Sequence, residues 1–376
     1  MTATESKSLT PVRSLDPSYY TDPAIYQQEL SSLLSQTWQF AAHASQLSNS
    51  GDYVTFKIAE QSLFSVCDQD GMIRTFYNVC QHQAHELVQG NGNCAKLIKC
   101  PYHAWTYRLD GRLLKGPNID AVPEFPSDQI CLASVSTEVL CGFVFVNLDP
   151  NAKPMGVWFP GIDTELRAFV PQIDQLKPLQ WIRVKERCNW KVSVENYSEC
   201  YHCRINHRTF ATGVVKPDTY DIQPQGYCLR HTTECQNLDR MSYPIDLDSN
   251  EHAGDYSSWF LWPLFSFQVY PGNVLNTYHW EPINYEEVEV CRGWYTVDGE
   301  DSQVIRGLAL QDCETTVEED IRLVESVQRG LNSRGYRPGP LVIDPAGGVN
   351  SEHSIEALHQ WMRDGLKIKK TYSEPV

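Results

Sequence analysis

The chain has 376 residues, 41% hydrophobic and 21% charged, enough for two domains with sizeable cores. Its formal charge of −16 argues against a nucleic-acid partner, whose phosphates need a basic footprint, and permits a cationic substrate or a basic partner protein. No run of about eighteen apolar residues occurs, so no membrane span is expected.

Met1 to Asp16 is polar and Ser/Thr-rich and lacks the basic-then-apolar pattern of a signal peptide. It reads as a loose tail on a protein that is not exported. Thirteen cysteines, an odd number with no disulfide framework, predict a reducing, cytoplasmic setting. From Pro23 to Trp38, apolar residues at Ile25, Tyr26, Leu30, Leu33, Leu34 and Trp38 recur near a 3.6 period, which predicts a helix. From Gly51 the texture changes. Tyr53–Ile58 and Ser62–Val66 alternate as strands, and Gln69-Asp70-Gly71 marks a hairpin turn. Ile73 to Val79 reads as a strand leading into Cys80. Tyr107 to Leu113 reads as a second hairpin turning at Asp110-Gly111, and Val139 to Asn147 closes a β-rich segment. Residues 42–150 are expected to form one small β domain, bounded by the linker-like stretch Asp149 to Pro154.

Within this segment stand Cys80-Gln81-His82 and, after seventeen residues, Cys100-Pro101-Tyr102-His103. Each loop offers one thiolate and one imidazole. That set suits a Rieske [2Fe–2S] cluster, in which two imidazoles replace two thiolates on one iron and raise the reduction potential. A Cys₂His₂ zinc site is the rival, although zinc sites usually pair like ligands.

Helical text around Ile162 to Phe169 and a strand from Trp181 to Cys188 open the next region. Then come Glu199, Cys200, His202, Cys203 and His207. Glu199 and His202 are three apart and would share a helix face. His207 is five beyond His202, so a break near Arg204 to Asn206 is needed to turn its ring back. Two histidines with a distant carboxylate form the facial triad of a non-haem Fe(II) oxygenase. Two ordinary hydrogen-bonded histidines, or a zinc site with Cys200 and Cys203, remain alternatives on this stretch alone.

Taken together, Asn78-Val-Cys80-Gln-His82, Cys100-Pro-Tyr-His-Ala-Trp105, Asn189-Trp-Lys191, Glu195-Asn196 and Tyr201-His202 through His207 resemble the oxygenase component of the Rieske non-haem iron oxygenases. The resemblance runs from about Trp38 to the C-terminus. It implies an α+β fold: a small antiparallel β Rieske domain at 42–150, and a helix-grip catalytic domain with a curved antiparallel sheet at 151–376, to which residues 1–41 contribute. It implies Cys80, His82, Cys100 and His103 as cluster ligands. It implies His202, His207 and Asp320 as ligands of a mononuclear Fe(II), with Glu318 and Glu319 as rivals to Asp320. It also implies O₂ as co-substrate and a homotrimer in which Glu199 links a cluster histidine of one subunit to an iron histidine of the next. Two departures stand out: Gln83-Ala84 replace a common basic residue and Gly, and Glu199 replaces the usual Asp.

Glu199 with Cys200-Tyr201-His202-Cys203 resembles the branch that oxidises quaternary ammonium compounds such as carnitine. For carnitine the implied products are trimethylamine and malic semialdehyde; for a betaine, a demethylated amine and formaldehyde. The chain has no plant-type C-x₄-C-x₂-C run and no dinucleotide G-x-G-x-x-G, so electrons are expected from a separate NAD(P)H reductase carrying flavin and a plant-type [2Fe–2S] cluster. Trp259, Trp262, Phe265, Phe267, Tyr270, Tyr278 and Trp280 are candidates both for a cation-binding cage and for an ordinary strand core. A Rieske electron carrier is the other functional class considered.

Overall fold

The computed structural model describes residues 11–367. Three antiparallel sheets organise it. The first has seven strands in the order Gln39–His43, Phe143–Asn147, Ser134–Leu140, Ile73–Tyr77, Gln61–Cys67, Asp52–Ile58 and Asn91–Asn93. Beside it lies a three-stranded sheet of Leu97–Lys99, Thr106–Arg108 and Leu113–Lys115. Phe64, Val66, Phe76, Ile98 and Tyr107 pack between them as a small core under the two Cys/His loops.

The second large sheet also has seven strands: Leu176–Glu186, Glu287–Val297, Val274–Asn284, Phe265–Tyr270, Asp255–Leu261, Cys228–Glu234 and Asp221–Gln225. Register shifts at Pro178/Gln180 and Pro282/Asn284 bend it, because a bulge adds local twist. Trp190–Tyr197, Glu318–Leu331 and His353–Lys367 are the main helices of this part. The α+β architecture matches the expectation: a small β domain followed by helices on a curved antiparallel sheet.

Several local expectations need correction. Pro23 to Trp38 is not one helix. An α-helix at Pro23–Gln28 passes into a π-turn at Glu29–Leu33 and a 3-10 turn at Leu34–Gln36. In this widened stretch Glu29, fully buried, meets Lys191 Nζ at 2.7 Å and accepts from Trp190 Nε1 at 2.9 Å. Val139 to Asn147 does close the β-rich segment, as the end of one strand, a turn and the next strand. Cys141 and Gly142 both have positive φ, 50° and 84°, and make the two-residue turn of a hairpin. The expected loose tail lies partly on residues 1–10, outside the described residues; beyond them Leu15 is buried and the backbone of Val12 to Ser14 bonds to Gly339 and Leu341, so this part is held rather than loose.

The helix Trp190–Tyr197, which leads toward Glu199, His202 and His207, is clamped from both chain ends. Glu29 holds its first turn. Tyr20 donates to Glu195 at 2.6 Å, and His359 Nε2 lies 3.1 Å from the same carboxylate. Removing Glu29 would strand a buried ammonium and an indole N–H. Glu29→Ala is expected to cost about 3–5 kcal/mol of stability, read by denaturant unfolding. A loss below about 1 kcal/mol would mean that Lys191 finds another partner.

Candidate active site

The two Cys/His loops share one backbone device. Cys80 N donates to His85 O and Ala84 N to Cys80 O; Cys100 N donates to Trp105 O and Ala104 N to Cys100 O. Ala84 and Ala104 occupy equivalent positions at φ of 60° and 57°. The loops thus reverse tightly at a residue where glycine is favoured, which explains why the family's Gly stands at position 84.

Each loop points its sulfur inward and its imidazole outward. Cys80 and Cys100 are buried, while His82 is exposed and His103 half-buried. The two rings lie 4.8 Å apart, and Trp105 stacks on His82 at 4.6 Å and 7°. Two sulfurs at one end and two imidazoles at the other suit a cluster with chemically unlike irons. Tyr107, which sequence reading took only as a strand residue, accepts from Gln81 N–H at 3.1 Å and lies 3.2 Å from Cys80 Sγ. A cluster-bound Cys80 would be a thiolate with no proton to give, so the Tyr107 hydroxyl would be the donor in that contact. Hydrogen bonds to cluster sulfurs raise the potential. Tyr107→Phe is therefore expected to keep the brown cluster and lower its midpoint potential; an unchanged redox titration would remove Tyr107 from this role.

The second site is built on an interrupted helix. Trp190–Tyr197 ends before Glu199, so Glu199 and His202 do not share a helix face. Instead Glu199 folds back over its own turn. One oxygen takes the Nδ1 of His202; the other accepts from the backbone N–H groups of Tyr201 and, at 3.2 Å, His202. A short helix, Cys203–Asn206, follows. The break falls at His207 itself, φ −106° and ψ 69°, one residue later than expected, and this aims the His207 ring back. Cys200 and Cys203 are joined as a disulfide, so they are not a zinc pair here. It is a single bond between residues three apart and makes no framework; the other eleven cysteines form no disulfide.

The three expected ligands converge. His202 Nε2 and His207 Nε2 are 2.9 Å apart, and Asp320 Oδ1 lies 3.0 Å from His207 Nε2 and 3.6 Å from His202 Nε2. Donors bonded at about 2.1 Å and right angles to one ion stand about 3 Å from one another. Asp320 Oδ1 is buried with no hydrogen-bond partner among the described residues. Outside this centre, Glu199 holds Nδ1 of His202, and Glu319 holds Nδ1 of His207 at 2.8 Å. Carboxylates behind metal-binding histidines fix tautomer and ring orientation. Glu318, the other rival, turns away to Arg322. The residues present therefore fit one divalent ion.

The electrostatics agree. Burial opposes a charged His202, but the Asp320 and Glu199 carboxylates outweigh it and push the ring up to about 10. Burial also opposes a charged His207, and Asp320 again raises it. Burial alone would lift Asp320, yet the two rings hold it below its ordinary value. Three carboxylates around two rings create a place that favours a cation.

A small cavity of about 70 Å³ opens beside the three donors. Its aromatic wall is Tyr197, Phe210, Tyr220, Tyr256, Tyr270 and Tyr278. Of the seven aromatic residues singled out from the sequence, only Tyr270 and Tyr278 line it. Trp262 and Trp280 belong to one core, and Trp259, Phe265 and Phe267 to another, as strand alternation demands. Buried Arg292 also lines the cavity and was missed. Its signal was present: in Val288-x-Val290-x-Arg292-x-Trp294 a charge occupies an inward-facing strand position.

A β domain with a Rieske ligand set, joined to a two-histidine, one-carboxylate centre with an adjoining cavity, defines a Rieske-type oxygenase. Comparison with known proteins agrees. Residues 37–126 match the Rieske [2Fe-2S] domain family, and residues 173–368 match the Ring hydroxylating alpha subunit (catalytic domain) family. The carnitine monooxygenase oxygenase subunit of Escherichia coli (strain K12) is 33% identical over 351 residues, 93% of this chain and 92% of that protein. The crystal structure of the quaternary ammonium Rieske monooxygenase CntA in complex with L-carnitine superposes with a TM-score of 0.82 at 31% identity, covering 94% of this chain and 96% of that one. The chloroplastic choline monooxygenase of Spinacia oleracea is 29% identical over 363 residues, 93% of this chain and 77% of that protein. The chain belongs to the oxygenase components of the Rieske non-haem iron oxygenases, on their quaternary-ammonium branch.

Proposed function

We propose that the protein is the oxygenase subunit of a two-component monooxygenase that oxidises a quaternary ammonium compound, most simply carnitine to trimethylamine and malic semialdehyde. O₂ is the co-substrate, and electrons come from a separate NAD(P)H reductase with flavin and a plant-type [2Fe–2S] cluster. The observation that carries this reading is the aromatic wall beside His202, His207 and Asp320. Aromatic faces attract quaternary ammonium by about 0.5–2 kcal/mol per ring. Bound iron would supply O₂ activation at these three residues. The chain's own groups orient the ligand rings through Glu199 and Glu319 and hold the cation against the tyrosines. A pure electron carrier has no use for such a cavity.

In this reading Cys80, His82, Cys100 and His103 hold the cluster in a domain at 42–150, and residues 1–41 and 151–376 form the catalytic domain. A homotrimer is the proposed assembly. Its support is the surface chemistry: Tyr102 is exposed beside His82 and His103, and Tyr201 and Ile205 are exposed around Glu199. Apolar groups at both ends suit a contact between copies that brings one subunit's cluster to the next subunit's Glu199. Among the described residues no helix is long and apolar enough to cross a membrane. A cytoplasmic location is part of the same proposal.

The test is oxygen uptake with a reductase against carnitine, γ-butyrobetaine, glycine betaine, proline betaine, choline and simple aromatic acids. Carnitine is expected to release trimethylamine. Its neutral carbon isostere should lose about tenfold or more in kcat/KM, since several ring contacts weaken together. Formaldehyde from a betaine, with carnitine inert, would shift the reaction to N-demethylation. Oxidation of an aromatic acid with no quaternary amine consumed would reject the reading.

A further inference from the structure

The iron-site cavity holds a group that a quaternary ammonium ion alone does not explain. Arg292 is only 3% exposed and lies on the strand Glu287–Val297. Its guanidinium sits over the Tyr278 ring at 5.0 Å and lines the same cavity as His202, His207 and Asp320. Its Nε and Nη1 have no hydrogen-bond partner among the described residues. The nearest acid, Asp312, is 3.9 Å from Nε, too far for a hydrogen bond, and both of its own oxygens are likewise unpartnered. Glu186, on the adjacent strand, faces Arg292 electrostatically, but Ser193 and Cys188 are its side-chain partners.

Asp312 supplies a counter-charge at 3.9 Å but no hydrogen bond, so buried N–H groups of the guanidinium are left without acceptors, which is costly. In a cavity for a cation it is worse, because it repels the ligand. The conflict disappears if the ligand also carries an anion. We propose that Arg292 anchors the carboxylate of a zwitterionic substrate whose trimethylammonium group rests on the tyrosine wall, and that it thereby selects carboxylate-bearing quaternary amines over choline. This rests on the quaternary-ammonium reading above and adds the substrate class and the residue that enforces it. Arg suits the task because its planar fork matches a carboxylate with two parallel N–H donors. Position along the substrate is then set from two ends, which carries a chosen carbon to the three iron donors.

Two measurements test it. The first uses the unaltered holoenzyme with carnitine, carnitine amide and choline. Carnitine amide keeps the shape and the ammonium and loses only the negative charge. Both carboxylate-free compounds should fall by about 100-fold or more in kcat/KM, and calorimetry should show the same loss in binding. Comparable turnover of all three would overturn the role of Arg292 and leave the quaternary-ammonium reading standing. Oxidation of none of them, nor of glycine betaine or proline betaine, would instead remove that reading. The second measurement is Arg292→Gln, which retains hydrogen-bonding capacity without charge. It should raise KM for carnitine about 10- to 100-fold, retain iron, and narrow the gap between carnitine and its amide. Equal losses on all substrates, together with lost iron, would make Arg292 a packing residue and overturn the proposal. Arg292→Lys, which keeps the charge but not the fork, should recover part of the discrimination.

Discussion

Glu199→Gln is expected to leave both metal centres filled and to cut turnover by at least about 100-fold. The side chain already holds Nδ1 of His202 and caps the backbone of its own turn. Gln has the same length but one acceptor oxygen, so it can still accept from the His202 ring while the turn's backbone N–H groups lose their acceptor, a cost of about 1–2 kcal/mol that leaves the fold intact. What it loses is the second ionised acceptor. A carboxylate can accept a ring N–H from each of two histidines, one of them offered by a neighbouring copy; an amide accepts on one side and presents N–H on the other. The measurement is stopped-flow absorbance of the reduced cluster mixed with O₂ and substrate. Slow or absent reoxidation is the expected trace, with normal iron and sulfide contents. Reoxidation at the normal rate would mean that electrons enter by another path, and Glu199 would be left as the positioning residue of His202 alone.

Asp320→Ala is expected to remove the mononuclear iron and abolish turnover while the visible spectrum of the cluster persists. The reason lies in what is left behind. Without Asp320 Oδ1, the two Nε2 atoms lose the only carboxylate oxygen placed between them among the described residues. Glu319 is adjacent in sequence, yet its oxygen is engaged on the far side of His207, at Nδ1, and cannot serve both atoms. Iron per chain should fall from three to two. An Asp320→Ala protein that keeps three irons and full activity would shift the ligand to another acid. Glu319→Gln is the informative control: it should weaken iron binding, by about 10- to 100-fold, without eliminating it.

The proposed cluster ligands were legible because each pair sits within three or four residues. A loop that short brings its own ligands together whatever the rest of the chain does, so local spacing is enough. The same holds for Ile162–Phe169, whose amphipathic period and helix coincide. Reading failed where a local pattern served a distant partner. Pro23 to Trp38 has a helical period, but burying Glu29 against Lys191, 162 positions away, goes with a π-turn.

At the iron site the division is clearer still. Sequence alone determined that the chain carries two histidines five apart, a mixed Cys/His quartet, and three consecutive acids on a late helix. Successive helix residues project about 100° apart, so only one of Glu318, Glu319 and Asp320 can face the Nε2 atoms. Which one depends on how the helix Glu318–Leu331 rotates against the sheet. That packing sets Asp320 inward, Glu319 behind His207 and Glu318 out toward Arg322. Tertiary structure likewise decided which aromatic residues reach the cavity, and it brought Arg292 there from a strand 85 to 90 positions beyond the histidines. The spacing of the Cys/His loops is a property of short segments and can be read locally. The shape and charge of the cavity belong to strands and helices far apart in the chain, and they come into being only when the sheet and its helices close together.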